Sequence, residues 1–217
     1  MKTKFEETLL ASKKLHVQQV LEGFEILLGY ETRNKYRILD EDMNPIAFAA
    51  EASKGLGAAI MRGLFKHWRT FEIEIFDQSR QLMYRAKFPF RWFFKTLYLE
   101  STSGSVMGHL EQRFAILYKK FDVFDGHGRL IAEIRSPLFK MWTFEFRNHG
   151  RKIGTIQKKW SGAISEIFTD KDNFIVSYAQ PDLNVETKAI MMATCLMIDI
   201  VYFENNQGAG SILDLAN

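Results

Sequence analysis

AIMMATCLMIDIVYF, residues Ala189 to Phe203, is the most apolar run in the chain. Whether it crosses a bilayer or fills a protein core decides the fold. From Asn184 to Glu204 there is neither Gly nor Pro, and Asp182 or Asn184 can accept hydrogen bonds from the first free amides, so the segment reads as a helix over about 184–204. Its middle is apolar on every face, the pattern of a helix buried all round. At about 1.5 Å per residue the run spans ~22 Å, whereas a hydrocarbon core of ~30 Å needs about 20 residues. Asp199 also interrupts it, and a carboxylate in mid-membrane costs about 2.5–3.5 kcal/mol. The run therefore reads as a core helix with Met191, Met192, Leu196, Asp199, Ile200 and Phe203 among its buried residues.

Upstream the pattern changes to alternation. TFEIEIFDQSRQLMYRAKF, KFDVFDGHGRLIAEI and TFEFRNHGRKIGTI each place apolar side chains at every second residue on both sides of a Gly, Asp or Ser break, which reads as strand, turn, strand. LHVQQVLEGFEILLGYE, NKYRILDEDMNPIAFAAE and LYLESTSGSVMGHLEQ repeat the pattern. These units give roughly ten to twelve strands, and a sheet of that length closes or splits into layers. A barrel fits best. The spacing is too irregular for a solenoid.

The composition is that of one globular domain: 217 residues, 47% hydrophobic and 25% charged. The single cysteine, Cys195, excludes an internal disulfide and points to a reducing compartment. The N-terminus, MKTKFEETLLASKK, lacks the apolar core of a signal peptide, so a cytoplasmic protein is expected. A net charge of +3 without a concentrated basic stripe argues against nucleic acid as a partner. Catalytic patterns are missing from the sequence: His16, His67, His109, His127 and His149 are dispersed and read as turn or surface residues, and Gly55-Leu56-Gly57 is too little for a dinucleotide fingerprint. The expectation is a protein that is not an enzyme.

Four ordered stretches carry a resemblance. Tyr30-Glu31-Thr32-Arg33-Asn34-Lys35-Tyr36, Phe48-Ala49-Ala50-Glu51, Lys159-Trp160-Ser161-Gly162 with Phe168 to Phe174, and Lys188-Ala189 through Asp199 to Glu204 resemble the phospholipid scramblase family, from about His16 to Glu204. The resemblance implies a mainly β, tubby-like fold: a closed antiparallel barrel of twelve strands around a buried hydrophobic C-terminal helix. It divides the chain into an N-terminal extension (1–15), the barrel domain (16–204) and a tail (205–217). It also implies ATP-independent translocation of phospholipid between leaflets, in response to calcium.

The calcium segment implied by the resemblance falls on Asp170, Asp172 and Asp182. Oxygen donors suit that ion, but an EF-hand loop starting at Asp170 has Ile175 in place of the sixth-position Gly and Pro181 at the twelfth position, so any binding is expected to be weak. The competing reading is a strand-entry turn at 170–173 and a helix cap at Asp182. Two basic-aromatic stretches are candidates for membrane contact. KGLGAAIMRGLFKHWR (Lys54 to Arg69) offers Arg62, Lys66 and Trp68, and KFPFRWFFK (Lys87 to Lys95) offers Arg91, Trp92, Phe93 and Lys95. Both also fit segments that seal a barrel end with their bases turned to solvent. The proline-rich leader and acylated cysteine cluster associated with the family are not visible. Two readings follow: lipid translocation or handling by a protein peripherally attached to an anionic phospholipid surface, or a lipid- or protein-binding module that does not scramble.

Overall fold

The computed structural model describes residues 2–20, 34–52, 70–115, 118–137, 142–159 and 173–203. In chain order these form α1 (Lys4–Ala11), β1 (Lys14–Gln19), β2 (Lys35–Leu39), β3 (Pro45–Glu51), β4 (Phe71–Asp77), β5 (Leu82–Phe88), β6 (Thr96–Ser101) and β7 (Val106–Arg113). They continue through β8 (Tyr118–Asp125), β9 (Leu130–Pro137), β10 (Thr143–Asn148), β11 (Arg151–Lys159), β12 (Asn173–Tyr178) and α2 (Val185–Ile198), which ends in a wider π turn, Asp199–Phe203. Each strand pairs antiparallel with its sequence neighbours, and β1 closes the barrel on β12 from Lys14↔Ser177 to Gln18↔Asn173.

The loose recurrence of the sequence has a geometric origin. In four hairpins an Asp or Ser ends or directly follows the first strand, the residue three places later takes a positive φ, and the register shifts by a bulge. Asp40, Asp77, Ser101 and Asp125 are followed in this way by Met43 (φ 66°), Arg80 (63°), Gly104 (82°) and Gly128 (76°). The Asp125 carboxylate shows why the acid is there: its Oδ1 accepts the amides of His127 and Arg129, both at 2.9 Å. A turn with a left-handed residue and a bulge matches the right-handed twist that a closed barrel requires.

Strand alternation sends one face of every strand inward. Phe71, Ile73 and Ile75 of β4 and Phe144 and Phe146 of β10 are buried in this way, and all pack in the core that surrounds α2. Every residue of α2 except Glu186 and Thr187 is buried, so the helix shows no polar stripe because the wall encloses it. Asn184, not Asp182, is its N-cap: the Asn184 side chain accepts the Thr187 amide at 2.9 Å, while Asp182 stands exposed in the preceding turn. Asp199 lies inside the barrel and accepts a 2.8 Å hydrogen bond from the Tyr36 hydroxyl through Oδ2, a partner for a buried acid that hydrocarbon would not supply. Cys195 sits in the same core, where burial pushes its thiol pKa up.

The approach of α2 to the wall depends on two glycines. A Cβ on Gly108 would fall on Ile190 Cδ1 and within 2.6 Å of the Phe124 carbonyl oxygen, and one on Gly154 would fall on Met191 Cε and within 2.5 Å of the Ser177 carbonyl oxygen. At the end of the barrel where α2 begins, α1 closes the opening with Phe5 and Leu9. The sequence reading assigned no helix to the N-terminal extension, although Thr3 and Glu6 form a capping box there. Lys188, 2% exposed, reaches from α2 to the end of α1 and donates to the carbonyls of Leu10 (2.5 Å) and Ser12 (2.8 Å). Carbonyls at a helix C-terminus lack intrahelical partners, so this lysine satisfies groups that burial would otherwise leave unpaired.

Two substitutions test these contacts by urea unfolding. Gly154→Ala is expected to lower stability by about 1–3 kcal/mol through overpacking against backbone. Lys188→Met is expected to cost about 1–3 kcal/mol by stranding the α1 carbonyls. An unfolding midpoint unchanged from wild type in either variant contradicts the corresponding contact.

Candidate functional site

The two ends of the barrel differ. The hairpin turns after β2, β4, β6, β8 and β10, together with α1 and the start of α2, form one end. The C-terminal ends of β1, β3, β5, β7, β9 and β11 lie with the end of α2 at the other. Two of the candidate segments, 53–69 with Arg62, Lys66 and Trp68, and 160–172 with Asp170 and Asp172, lie outside the described residues. The strand ends that flank both are at this second rim, as is the described stretch from Pro89 to Lys95.

That stretch is the most conspicuous apolar surface described. Trp92 and Phe93 are 70% and 88% exposed, Phe94 is about half exposed, and Phe114, beyond the end of β7 at the same rim, is 77% exposed. Phe90 supports the group from beneath by an edge-on contact with Trp92 at 5.3 Å. Arg91 stands exposed among them. Four large aromatic rings projecting into water from one rim is the signature of an interaction surface, since isolated apolar residues on a surface need no such grouping.

Lys95 is placed differently from its neighbours in that stretch. It precedes β6 on the face of Leu97 and Leu99, both fully buried, so its side chain enters the mouth of the barrel. Lys119 takes the corresponding position on β8, in phase with Phe121 and Val123, and Lys158 does so on β11, in phase with Ile156. The ammonium groups lie over the last turn of the helix segment: Lys119 and Lys95 are 3.6 and 4.7 Å from the centroid of Tyr202, and Lys158 is 4.0 Å from that of Phe203. Ring faces and the negative end of a helix both attract cations, by about 0.5–1 kcal/mol each. Burial nevertheless lowers the pKa of both Lys95 and Lys119, and with Lys95 adding repulsion Lys119 is pushed down to about 8.

The sequence family described as Scramblase matches residues 2–205. This chain belongs to the scramblase family. It is 28% identical to phospholipid scramblase 2 of Bos taurus over 93% of this chain and 72% of that protein, and 28% identical to human phospholipid scramblase family member 5 over 88% and 73%. A solved protein from Arabidopsis thaliana superposes over 88% of this chain and 96% of its own, with a TM-score of 0.47 and 12% identity. The barrel itself rests on the strand register. The scramblase match begins at residue 2 and so takes in α1, which the sequence reading set apart as an extension.

In this scramblase-family chain Asp182 lies at the opposite end of β12 from Asn173, while Asp170 and Asp172 lie outside the described residues. Extended β12 runs from Asn173 to Tyr178, about 17 Å at ~3.3 Å per residue, and Asp182 lies beyond its far end. Calcium ligands stand only about 2.3–2.6 Å from the ion, so Asp182 cannot share an ion with a ligand at Asn173. Among the described residues no three His, Cys, Asp or Glu side chains are grouped to hold a metal ion. No described helix is long and apolar enough to cross a membrane. Of the described histidines, His127 and His149 occupy hairpin turns as expected, but His16 and His109 are in strands. His109 is stacked between Tyr98 (5.5 Å) and Phe124 (4.7 Å) across β6, β7 and β8, a wall contact that period-two spacing alone does not reveal.

The half-buried rim lysines cost stability. Below about pH 8 Lys119 is protonated in both the folded and unfolded chain, and the charged form is disfavoured in the fold. Lys119→Met is therefore expected to raise stability at pH 7 by about 1 kcal/mol after allowance for solvent screening. The gain should shrink as pH rises from 8 towards 10.5, where the folded lysine has shed the proton that the unfolded one keeps. Thermal unfolding at pH 7 and pH 10 measures both, and a destabilised variant at pH 7 contradicts the sign.

Proposed function

We propose that this protein handles phospholipid at a membrane surface, meeting the bilayer with the rim that carries Trp92, Phe93, Phe94 and Phe114. The observation that carries this reading is the grouping of those exposed rings with the lysine-lined mouth at a single end of the barrel. Aromatic rings suit the headgroup region, and cations beside them favour an anionic leaflet. The protein associates peripherally, on the cytoplasmic side, and carries out no covalent chemistry. Membership of the scramblase family supports translocation as the outcome.

The closed interior shapes how translocation proceeds. The core is packed from wall to helix, and Gly108 and Gly154 leave no room beside α2 for a phospholipid headgroup. Lipid therefore moves around a perturbed bilayer next to the rim, not through the barrel. The same packing favours the second reading, a lipid-binding module that does not scramble. For calcium, Asp170 and Asp172 are the carboxylates that this reading retains, as a weak oxygen-donor pair, and Asp182 is left out.

Sedimentation with vesicles containing phosphatidylserine in phosphatidylcholine tests the rim. Combined Trp92→Ala, Phe93→Ala and Phe94→Ala is expected to weaken binding by about tenfold to a hundredfold, the scale of removing exposed rings from an apolar interface. Binding equal to wild type would retire the rim as the membrane face. Flip of fluorescent lipid in the same vesicles, with and without calcium, separates translocation from binding alone.

A further inference from the structure

Several cations on the outer wall of this barrel are matched with acids. Lys87 meets Glu100 at 2.6 Å, Arg85 meets Glu74 at 3.2 Å, Arg113 meets Asp122 at 2.7 Å and Arg147 meets Glu145 at 2.7 Å. At the mouth this matching stops. Lys95 and Lys119 point inward, and among the described residues neither ammonium group meets a carboxylate. Both lie over the ring of Tyr202, and Lys119 also lies 5.8 Å from the centroid of Phe144, contacts that offset part of the cost of holding them half-buried. Their Nζ atoms can be no farther apart than the two centroid distances together, about 8 Å.

Ser136 adds a separate observation. It stands opposite Lys119 in the β8–β9 ladder, on the inward face shared with Ile134, and is 1% exposed. Among the described residues its Oγ makes no hydrogen bond. Opposed residues on one face of an antiparallel pair have Cβ atoms about 4.5–5.5 Å apart, so this hydroxyl lies within reach of a group held by Lys119. Buried hydroxyls are seldom left without a partner.

We propose that Lys95, Lys119 and Ser136, set around Tyr202 at this rim, form a binding site for the phosphate group of an anionic ligand. The proposal deepens the rim reading and rests on it for the side from which the ligand approaches. Two ammonium groups and a hydroxyl supply donors in excess of acceptors, and a phosphate supplies several acceptor oxygens on one centre. Charge-assisted bonds of about 2.7–2.9 Å from each ammonium can span the gap between them through such a group. A metal cation is repelled by the same pair. The phosphate can belong to a lipid headgroup or to a soluble phosphoester.

Two probes distinguish these sources: glycerol 3-phosphate, and dihexanoylphosphatidic acid below its micelle concentration. In protein labelled with ¹³C-lysine, both ligands are expected to shift the Cε signals of Lys95 and Lys119 saturably. Lys95→Met with Lys119→Met should weaken binding at least tenfold, Ser136→Ala should weaken it severalfold without changing charge, and Lys14→Met, at the opposite end, should leave it unchanged. Near-ultraviolet circular dichroism confirms that each variant is folded. Tighter binding of the short-chain lipid assigns the site to a headgroup, and equal binding assigns it to a soluble phosphoester. The proposal is overturned by signals that move with neither ligand, by affinity unchanged in both the double variant and Ser136→Ala, or by an equal loss in Lys14→Met. A wild-type protein that binds glycerol 3-phosphate but ignores anionic vesicles would uphold this site and remove the membrane reading instead.

Discussion

Close packing of α2 against the barrel wall is the contact on which the rest of the structure depends. A helix buried on every side needs a wall that closes around it, and a wall of twelve strands needs something to fill its centre. Gly108 and Gly154 set that distance on two strands, and Asn184 and Lys188 fix the entry of the helix by satisfying its first amides and the last carbonyls of α1. The hydrophobic run is therefore committed to the core. A carboxylate inside it is tolerable because Tyr36 reaches across the barrel to bond Asp199.

This commitment moves the question of function to the ends. One end is sealed by tight turns and by α1. The other carries the longer connections, the exposed rings of Trp92, Phe93, Phe94 and Phe114, and lysines turned into the mouth around Tyr202 and Phe203. The lysines are held there against the pull of desolvation, an arrangement that costs stability and is characteristic of functional sites. Aromatic anchors and inward-turned cations at one rim, with a closed core behind them, support the proposal of a protein that docks on a phospholipid surface.

Much of the fold was legible because its signals are local. Alternation around Asp, Ser and Gly identified the hairpins, and the length and uniform apolarity of 189–203 identified the central helix. Asn34 and Glu51, two residues that carry the family resemblance, meet in a buried hydrogen bond of 2.7 Å, where the first three strands converge. The short α1 escaped notice because two apolar residues on one turn make a weak pattern; its capping box was the available clue. Less of the site was legible. Asp182 reads as a near neighbour of Asn173 in the sequence, but the extended strand β12 carries it to the opposite end from Asn173. Lys95 read as part of an outward basic-aromatic loop, whereas its phase with Leu97 and Leu99 turns it inward. Lys119, Ser136 and Tyr202 were missed because strands and a helix far apart in sequence bring them together, which only closure of the barrel specifies.

Hydrogen exchange on the full chain, with and without vesicles rich in phosphatidylserine, tests the central claim most directly. The account predicts that amides of α2 stay strongly protected in both conditions, while exchange slows at 89–95 and around Phe114 when vesicles are present. Loss of protection along Val185–Ile198 on vesicle binding, with 89–95 unchanged, would mean that the hydrophobic helix leaves the barrel for the bilayer, and would contradict the account.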